Sequence, residues 1–383
     1  MTHLEPPVLS TLTRRRALSS LVGMGVLGTL PWATQAAPAG AGPTVVQIAD
    51  MSAGQTDVSR DFLTGSRAAW QEINAKGGVG GRTIAHQTLE VDGSLASVRN
   101  AIDTLRKQPQ VIAVCGTVGG PAAALVADLL RRELPDMPHI APWLQAPQEA
   151  LGDNTFAVFA SRQAQITHAV QSLAQVGIKE IGAVFATPAD FSTYAADTQR
   201  VAQSLQVQLK TFPPVADLQQ LASSLNNESP RILVFLGGTP ELHQFAQGLG
   251  QRSGQRFIVA MSDVNLQTLL QLGLPRQAAV IATQVVPMVN SSLPVVRAYR
   301  ESLTRYFDEP PTPQSLAGYI SARFAYAALQ RADAPLNRAG LMTALQRRSS
   351  VDLGGFRIQI DEKQRTGIYV TQSMISSDGK LVG

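Results

Sequence analysis

Short apolar runs alternate with amphipathic stretches from residue 44 onward. Residues 44–49 and 111–115 are rich in β-forming side chains, whereas 61–76, 95–107 and 121–133 have apolar residues at the spacing of a helix. Residues 139–142 form a further short strand before a loop. Buried strands that alternate with helices predict a parallel sheet with helices on both of its faces.

The same alternation begins again near residue 160. Further strands are predicted at 181–185, 208–212, 232–236 and 257–260, with helices at 163–176, 194–205, 218–225 and 240–249. Two successive series of this kind predict an α/β protein with two doubly wound parallel-sheet lobes. Two long helices are predicted at 293–307 and 313–332. The tail from 356 to 381 alternates like β-structure, with a turn at 377–380.

The N-terminus has the features of an export signal. Three arginines at 14–16 precede an apolar stretch at 17–30, and Pro31 and small residues follow up to Ala36. Residues 1–36 are therefore predicted to be a cleaved signal peptide, with the mature protein in the periplasm. Residues 13–18 resemble the twin-arginine motif, although Ala17 stands where that motif usually has phenylalanine. A Sec signal and an uncleaved anchor are the alternatives.

Composition excludes several classes of function. The chain has 383 residues with 44% hydrophobic and 16% charged side chains, which is typical of a globular protein. A formal charge of +4 without a basic stripe argues against nucleic acid as a partner. Cys115 is the single cysteine, and the five histidines have no metal-binding spacing. No nucleophile-elbow motif occurs, so we expect no metal, no cofactor and no enzyme activity.

A glycine-rich elbow follows the strand that ends at Cys115. It comprises Gly116, Thr117, Val118, Gly119 and Gly120, and a helix begins at Pro121. Such an elbow offers backbone N–H groups and the positive end of a helix dipole to an anion. It lacks the Lys-Ser/Thr pair of a phosphate loop and the glycine spacing of a dinucleotide site. A small carboxylate fits better, and close packing of helix on strand is the alternative.

In open parallel sheets, ligands bind at the carboxyl ends of the strands. Five loop regions lie there in the predicted fold, two or three from each lobe, and together they define the predicted cleft: 52–61, 116–120, 143–147, 187–192, and 237–241 with 262–265.

Several segments together resemble a known family. They are EINAKGGVGGR at 72–82, HIAP at 139–142, FLGG at 235–238 and GYI at 318–320. In this order and spacing they resemble the type I periplasmic solute-binding proteins of ABC transporters, most of all the leucine/isoleucine/valine-binding group. The resemblance implies two lobes joined by three crossovers that close on a ligand. Residues 43–160 with 287–336 would form the first lobe, and 161–286 with 337–383 the second.

The resemblance also implies a set of ligand-binding residues. The elbow residues Gly116, Thr117 and Val118 would hold a ligand carboxylate, with Trp143 and Gln145 from the next loop beside them.

In the second lobe, Phe191 stands where relatives often have a tyrosine, and Thr239 where some have an aromatic residue. Asp263 would pair with a ligand ammonium group. Lobe packing is the alternative role for Trp143, and capping of the following helix is the alternative for Asp263.

The function implied is that of an exported substrate-binding component of an ABC importer. It would capture a small carboxylate-bearing solute, such as an amino acid, an organic acid or an amide, and deliver it to a permease in the inner membrane, acting as a monomer. Trp143, Phe191, Thr239 and the position of Asp263 do not reproduce the family's pocket for aliphatic amino acids. The identity of the ligand is therefore open. A periplasmic ligand-sensing module of a signalling system is the alternative.

Overall fold

The computed structural model describes residues 42–144, 151–250, 254–347, 350–358, 366–375 and 381–382. The predicted signal peptide, Gln145 and the predicted turn at 377–380 lie outside the described residues.

The first sheet has five parallel strands in the order β2-β1-β3-β4-β5. The order places β1 and β3 in the interior of the sheet, and all residues of both strands are buried. The strands are β1 Thr44–Asp50, β2 Ala85–Val91, β3 Val111–Cys115, β4 His139–Ile140 and β5 Thr155–Phe156. The helices between them are α1 Thr56–Ala75, α2 Leu95–Arg106 and α3 Gly120–Glu133.

The second sheet has seven strands in the order β14-β13-β10-β9-β8-β6-β7. Its strands are β6 Glu180–Phe185, β7 Gln208–Phe212, β8 Ile232–Leu236, β9 Arg256–Ala260, β10 Ala278–Gln284, β13 Thr371–Ile375 and β14 Leu381–Val382. The helices of this lobe are α4 Arg162–Gln175, α5 Pro188–Ser204, α6 Leu218–Ser223, α7 Thr239–Gln247 and α8 Leu266–Leu272. Among the described strands of this sheet, β13 pairs antiparallel with both β10 and β14, and the other pairs are parallel.

The remaining elements are α9 Pro294–Tyr306, α10 Pro313–Arg331, α11 Arg338–Gln346 and a small hairpin of β11 Val351–Asp352 and β12 Arg357–Ile358. The prediction of an α/β fold with two parallel-sheet lobes is confirmed.

Two helices of the first lobe approach each other closely because they carry glycine where they meet. A Cβ on Gly65 of α1 would lie 1.7 Å from the carbonyl oxygen of Ser315, and one on Gly318 of α10 would lie 1.9 Å from that of Phe62. The backbones of α1 and α10 are therefore in direct contact.

Among the described residues, three segments connect the lobes, at 157–161, at 285–293 and at 366–370. The third crossover includes Gly367, where a Cβ would lie 2.0 Å from the carbonyl oxygen of Val158 in the first. Two of the crossovers therefore run side by side.

The predicted boundary after residue 336 differs from the contacts in the structure. Leu341 of α11 and the hairpin residues Phe356 and Ile358 lie in the same apolar cluster as α1 and α10. Arg338 also donates from Nε to the carbonyl oxygen of Val111 in β3, over 2.9 Å. Residues 338–347 and 350–358 thus pack with the first lobe, whereas β13 and β14 join the sheet of the second. Alternation reveals a strand, but not which sheet it joins.

Candidate functional site

The elbow after β3 uses part of its backbone inside the first lobe. Gly116 has a φ of +65°, which favours glycine, and its N–H donates to the carbonyl oxygen of Ile140 over 2.8 Å. The N–H of Val118 donates to the carbonyl oxygen of Ile48 over 3.0 Å. Two of the donors predicted to hold a ligand carboxylate are therefore engaged by neighbouring strands.

Thr117 is held from two sides. Its Oγ1 lies 2.9 Å from Nε2 of His139, and its carbonyl oxygen accepts from the N–H of Trp143 over 2.7 Å. Burial lowers the pKa of His139 to about 3, so its ring is neutral at physiological pH. The Thr117 hydroxyl is fully buried and tied to this neutral ring.

A buried carboxylate lies against the elbow. Gly119 has a φ of +97°, and a Cβ there would lie 2.3 Å from the Cβ of Asp50, the last residue of β1. Asp50 Oδ1 accepts from the N–H of Ser52 over 2.9 Å. Because α3 begins at Gly120, the positive end of this helix already has a negative charge beside it.

Trp143 packs into the core of the first lobe. Its ring meets those of Phe62 and Phe159 edge to face, with centroids 5.8 and 5.2 Å apart. The side chain is buried, and its indole Nε1 has no hydrogen-bond partner among the described residues. These contacts support lobe packing, the alternative role predicted for Trp143 from the sequence. Gln145, the other residue predicted from this loop, lies outside the described residues.

The second lobe places an ion triad at the carboxyl ends of its strands. Arg162, in the first turn of α4, donates to the carboxylates of both Asp190 and Asp263. Its guanidinium also lies 5.4 Å from the centroid of the Tyr194 ring. The triad carries two acids and one base. Asp263 Oδ1 has no hydrogen-bond partner among the described residues.

Burial is the largest influence on the pKa of Asp263. It raises the pKa of Asp263, and the nearby Arg162 opposes that shift without cancelling it. The carboxylate of Asp190 adds to the upward shift. Asp263 was predicted from the sequence, but Arg162 and Asp190 were not. One feature of the sequence could have pointed to Arg162, namely its position in the first turn of a helix. A cation there interacts unfavourably with the helix dipole, so nearby acids are expected to compensate it.

Phe191 and Thr239 lie in the first turns of α5 and α7. The Phe191 ring is half-buried and meets Phe185 edge to face, with centroids 5.3 Å apart. Thr239 Oγ1 accepts from the N–H of Asn265 over 2.9 Å. Thr239 therefore links the N-terminus of α7 to the N-terminus of α8 within the second lobe.

The two lobes touch directly at the edges where their strands end. Asn265 Nδ2 in the second lobe donates to Asp61 Oδ2 of α1 over 2.9 Å. Gln314 Nε2 of α10 donates to the carbonyl oxygens of Ser262 and Val264, over 3.0 and 3.2 Å. Burial raises the pKa of Asp61, and its hydrogen bonds with Thr312 and Asn265 oppose that shift. These contacts describe a closed arrangement of the cleft.

The described residues contain no group of three or more His, Cys, Asp or Glu side chains placed to hold a metal ion. In those residues, no helix combines the length and apolar character needed to cross a membrane. Burial raises the pKa of the Cys115 thiol to about 12, so it is a packed side chain and not a nucleophile.

A family model described as periplasmic binding protein matches residues 43–376. The chain belongs to this family. A comparison with curated proteins gives no match. The family assignment confirms that the chain is a binding protein and not an enzyme.

Solved structures of other periplasmic binding proteins and transporter components have the same fold. An extracellular ligand-binding receptor from Verminephrobacter eiseniae is 19% identical with a TM-score of 0.81, covering 90% of this chain and 100% of the receptor. The branched-chain amino acid transporter substrate-binding protein LivJ from Streptococcus pneumoniae, in complex with isoleucine, is 17% identical with a TM-score of 0.74 (90% and 98% covered).

A third solved structure widens the range of ligands found on this fold. The fatty acid ABC transporter substrate-binding protein from Thermomonospora curvata is 17% identical with a TM-score of 0.75, covering 89% of this chain and 91% of that one. These identities establish a shared fold. The ligands named for these proteins differ chemically. The shared fold therefore does not determine which ligand this chain binds.

Proposed function

We propose that this protein is the exported substrate-binding component of an ABC importer, which captures a small solute between its lobes and delivers it to a permease in the inner membrane. The observation that carries the proposal is the pair of contacts across the cleft, Asp61 with Asn265 and Gln314 with the loop at 262–264. Both come from the strand-end loops and first helical turns where ligands of α/β sheets bind.

The mechanism follows from what these contacts require. They form only when the lobes are closed, so they favour the closed state whether or not a ligand is present. A solute that touches both lobes adds contacts that exist only in that state, and its binding shifts the equilibrium towards it. The closed protein then offers a permease a surface that the open protein lacks.

The sequence-based expectation of a ligand carboxylate in the elbow is not part of this proposal. The N–H groups of Gly116 and Val118 are engaged, and Asp50 lies against Gly119. Trp143, Phe191, Thr239 and Asp263 remain proposed as residues that line or shape the cleft.

Binding is tested with the mature chain, beginning near Ala37. Its melting temperature is measured against amino acids, organic acids, amides and amines, and each hit is titrated by calorimetry. A ligand at a hundredfold its dissociation constant stabilises the fold by about 2.7 kcal/mol, which raises the melting temperature by several degrees. The proposal fails if no member of the panel binds, or if a bound compound is chemically changed.

Delivery needs a cellular test. Uptake of the radiolabelled ligand is compared in cells with and without the gene. Loss of uptake is expected for a transport component, whereas unchanged uptake with an altered transcriptional response to the ligand would favour the sensing alternative.

The export route is tested separately. Replacing Arg14 and Arg15 together by lysine is expected to keep the protein in the cytoplasm if the twin-arginine pathway carries it. Normal export of that double variant would indicate the Sec route.

A further inference from the structure

The cleft is far more acidic than the rest of the chain. Among the described residues, the loop regions of the cleft contain five carboxylates, Asp57, Asp61, Asp190, Glu241 and Asp263, and Asp50 ends the strand just before the first region. The guanidinium groups beside them are those of Arg60, which is exposed, and Arg162, which lies there through its ion pairs. The whole chain, by contrast, has a formal charge of +4. The acidity is therefore a local property of the cleft.

Arg162 cannot neutralise this surplus, since it already pairs with both Asp190 and Asp263. Asp61 bonds to an uncharged amide, that of Asn265. Glu241 Oε2 accepts from the N–H of Gly238 over 3.0 Å. Hydrogen bonds of this kind satisfy oxygen atoms but leave the charge in place.

Independent of charge, buried acceptors at the cleft lack donors. Gln314 is 1% exposed, and its Oε1 has no hydrogen-bond partner among the described residues. Its Nε2 is bonded to the carbonyl oxygens on either side of Asp263, so the Oε1 of the same amide lies beside that loop. Asp263 Oδ1 and Asp57 Oδ2 are likewise buried without a partner in the described chain. These three oxygens can accept hydrogen bonds from a ligand, although two buried donors at the cleft, Trp143 Nε1 and Arg162 Nε, also lack partners among the described residues.

The elbow in the first lobe does not attract a second carboxylate. The N-terminus of a helix such as α3 is equivalent to about half a positive charge. Asp50, buried against Gly119, brings a full negative charge to the same place. A ligand carboxylate in the elbow would thus meet net repulsion in a site with little water to screen it.

Resting on the proposed function, we infer that the ligand is a small organic amine, positively charged and without a free carboxylate. Its ammonium group donates to Asp263 Oδ1 and Gln314 Oε1. The remaining acids of the cleft supply an attractive field for a cation, which also speeds its capture.

Matched pairs of compounds test this inference, because in each pair one member lacks the free carboxylate that the other carries. The pairs are agmatine with arginine, putrescine with ornithine, phenethylamine with phenylalanine, and leucinamide with leucine, each titrated by calorimetry at pH 7.5. We expect the member without the carboxylate to bind at least tenfold more tightly in every pair that binds. Equal or tighter binding of an acid member overturns the inference but leaves the binding function intact. Absence of binding by all eight compounds counts against both.

A variant pair locates the effect. Asp263→Asn keeps the size of the side chain and removes its charge, and it should weaken binding of the best amine at least tenfold. Asp57→Asn is a second cleft variant for the case that Asp263→Asn fails to fold. Asp103→Asn, on the exposed surface of α2, is the matched control and should bind like the unaltered protein. Unchanged affinity in the folded cleft variants would overturn the inference.

Discussion

Asp61 in the first lobe accepts a hydrogen bond from the side-chain amide of Asn265 in the second lobe, over 2.9 Å. Asn265 also caps α8, because its Oδ1 accepts from the N–H groups of Gln267 and Thr268. One side chain therefore both begins a helix and joins the lobes. Its two roles use different atoms, which allows them to be separated by mutation.

Asn265→Asp should open the cleft without removing the cap. The new carboxylate keeps the cap acceptor but loses the donor to Asp61 and repels that acid. A hydrogen bond to a charged group contributes about 1.5–3 kcal/mol, so ligand affinity measured by calorimetry should fall about tenfold or more. Asn100→Asp makes the same change on the exposed surface of α2 and should have no effect. Equal affinities of the two variants would contradict the role of this contact.

Arg162→Met should destabilise the fold strongly, because it leaves Asp190 and Asp263 buried without their counter-ion. Breaking a buried ion pair in this way costs about 3 kcal/mol or more, measurable by urea unfolding. Adding Asp190→Asn and Asp263→Asn to the same chain should restore most of the loss. Arg200→Met breaks an exposed pair with Asp197 and should cost less than about 1 kcal/mol. A loss as small as that of Arg200→Met would show that the triad is not a buried unit.

Two histidines, His139 buried and His86 half-buried, should make the protein sensitive to acid. Burial lowers the pKa of His139 to about 3 and that of His86 to about 4, from an ordinary value of 6.5. Below pH 6.5 these two histidines bind protons in the unfolded chain but not in the folded one. The free energy of unfolding therefore falls as the pH falls from 6.5 towards the folded-state pKa values. At pH 4.5 each group costs about 2–3 kcal/mol relative to pH 7.5.

Unfolding by urea across this pH range measures the effect. His139→Gln removes one titrating group and should flatten the dependence of stability on pH, whereas the control His243→Gln, at a site that is not buried, should leave its slope unchanged. An identical slope in both variants would mean that His139 is accessible to protons in the folded protein.

Gly65→Ala should force α1 and α10 apart. Alanine favours a helix over glycine by about 1 kcal/mol, but its Cβ would lie 1.7 Å from a backbone oxygen that cannot rotate away. We expect the clash to win and the melting temperature to fall, since overpacking costs about 1–3 kcal/mol even between side chains. Gly250→Ala, where a Cβ meets nothing within 4 Å, is the control. A higher melting temperature for Gly65→Ala would contradict the close helix contact.

The spacing of apolar residues predicted much of the fold, because apolar residues recur at the positions of a helix or strand that face the core. The bounds predicted for β3, β7 and β8 agree with the structure. Helix α1 begins at Thr56, five residues before its predicted start, because the first turn is polar except for buried Val58. Helix α5 likewise begins at Pro188 and not at Tyr194, since Thr187 caps it through the N–H of Asp190.

The site was harder to predict than the fold. Asp263 was identified from its place after β9, but its partner Arg162 lies 101 residues earlier in the chain. No local pattern reports a pairing over that distance. Likewise, the engagement of the Gly116 and Val118 N–H groups depends on how the elbow meets neighbouring strands. The sequence could suggest candidate site residues. Which of their charges are paired, and which of their hydrogen-bonding groups have no partner, could be determined only from the folded chain.

The most direct test of the central claim is the distance between the lobes with and without ligand. Leu95→Cys and Val215→Cys introduce exposed thiols after β2 and β7, the outer strands of the two sheets, where the unaltered side chains are 50% and 42% exposed. The native Cys115 is buried and should stay unlabelled. Energy transfer between two dyes should rise on titration with the ligand and saturate at the calorimetric affinity. Unchanged transfer at full occupancy would contradict binding by closure of the lobes.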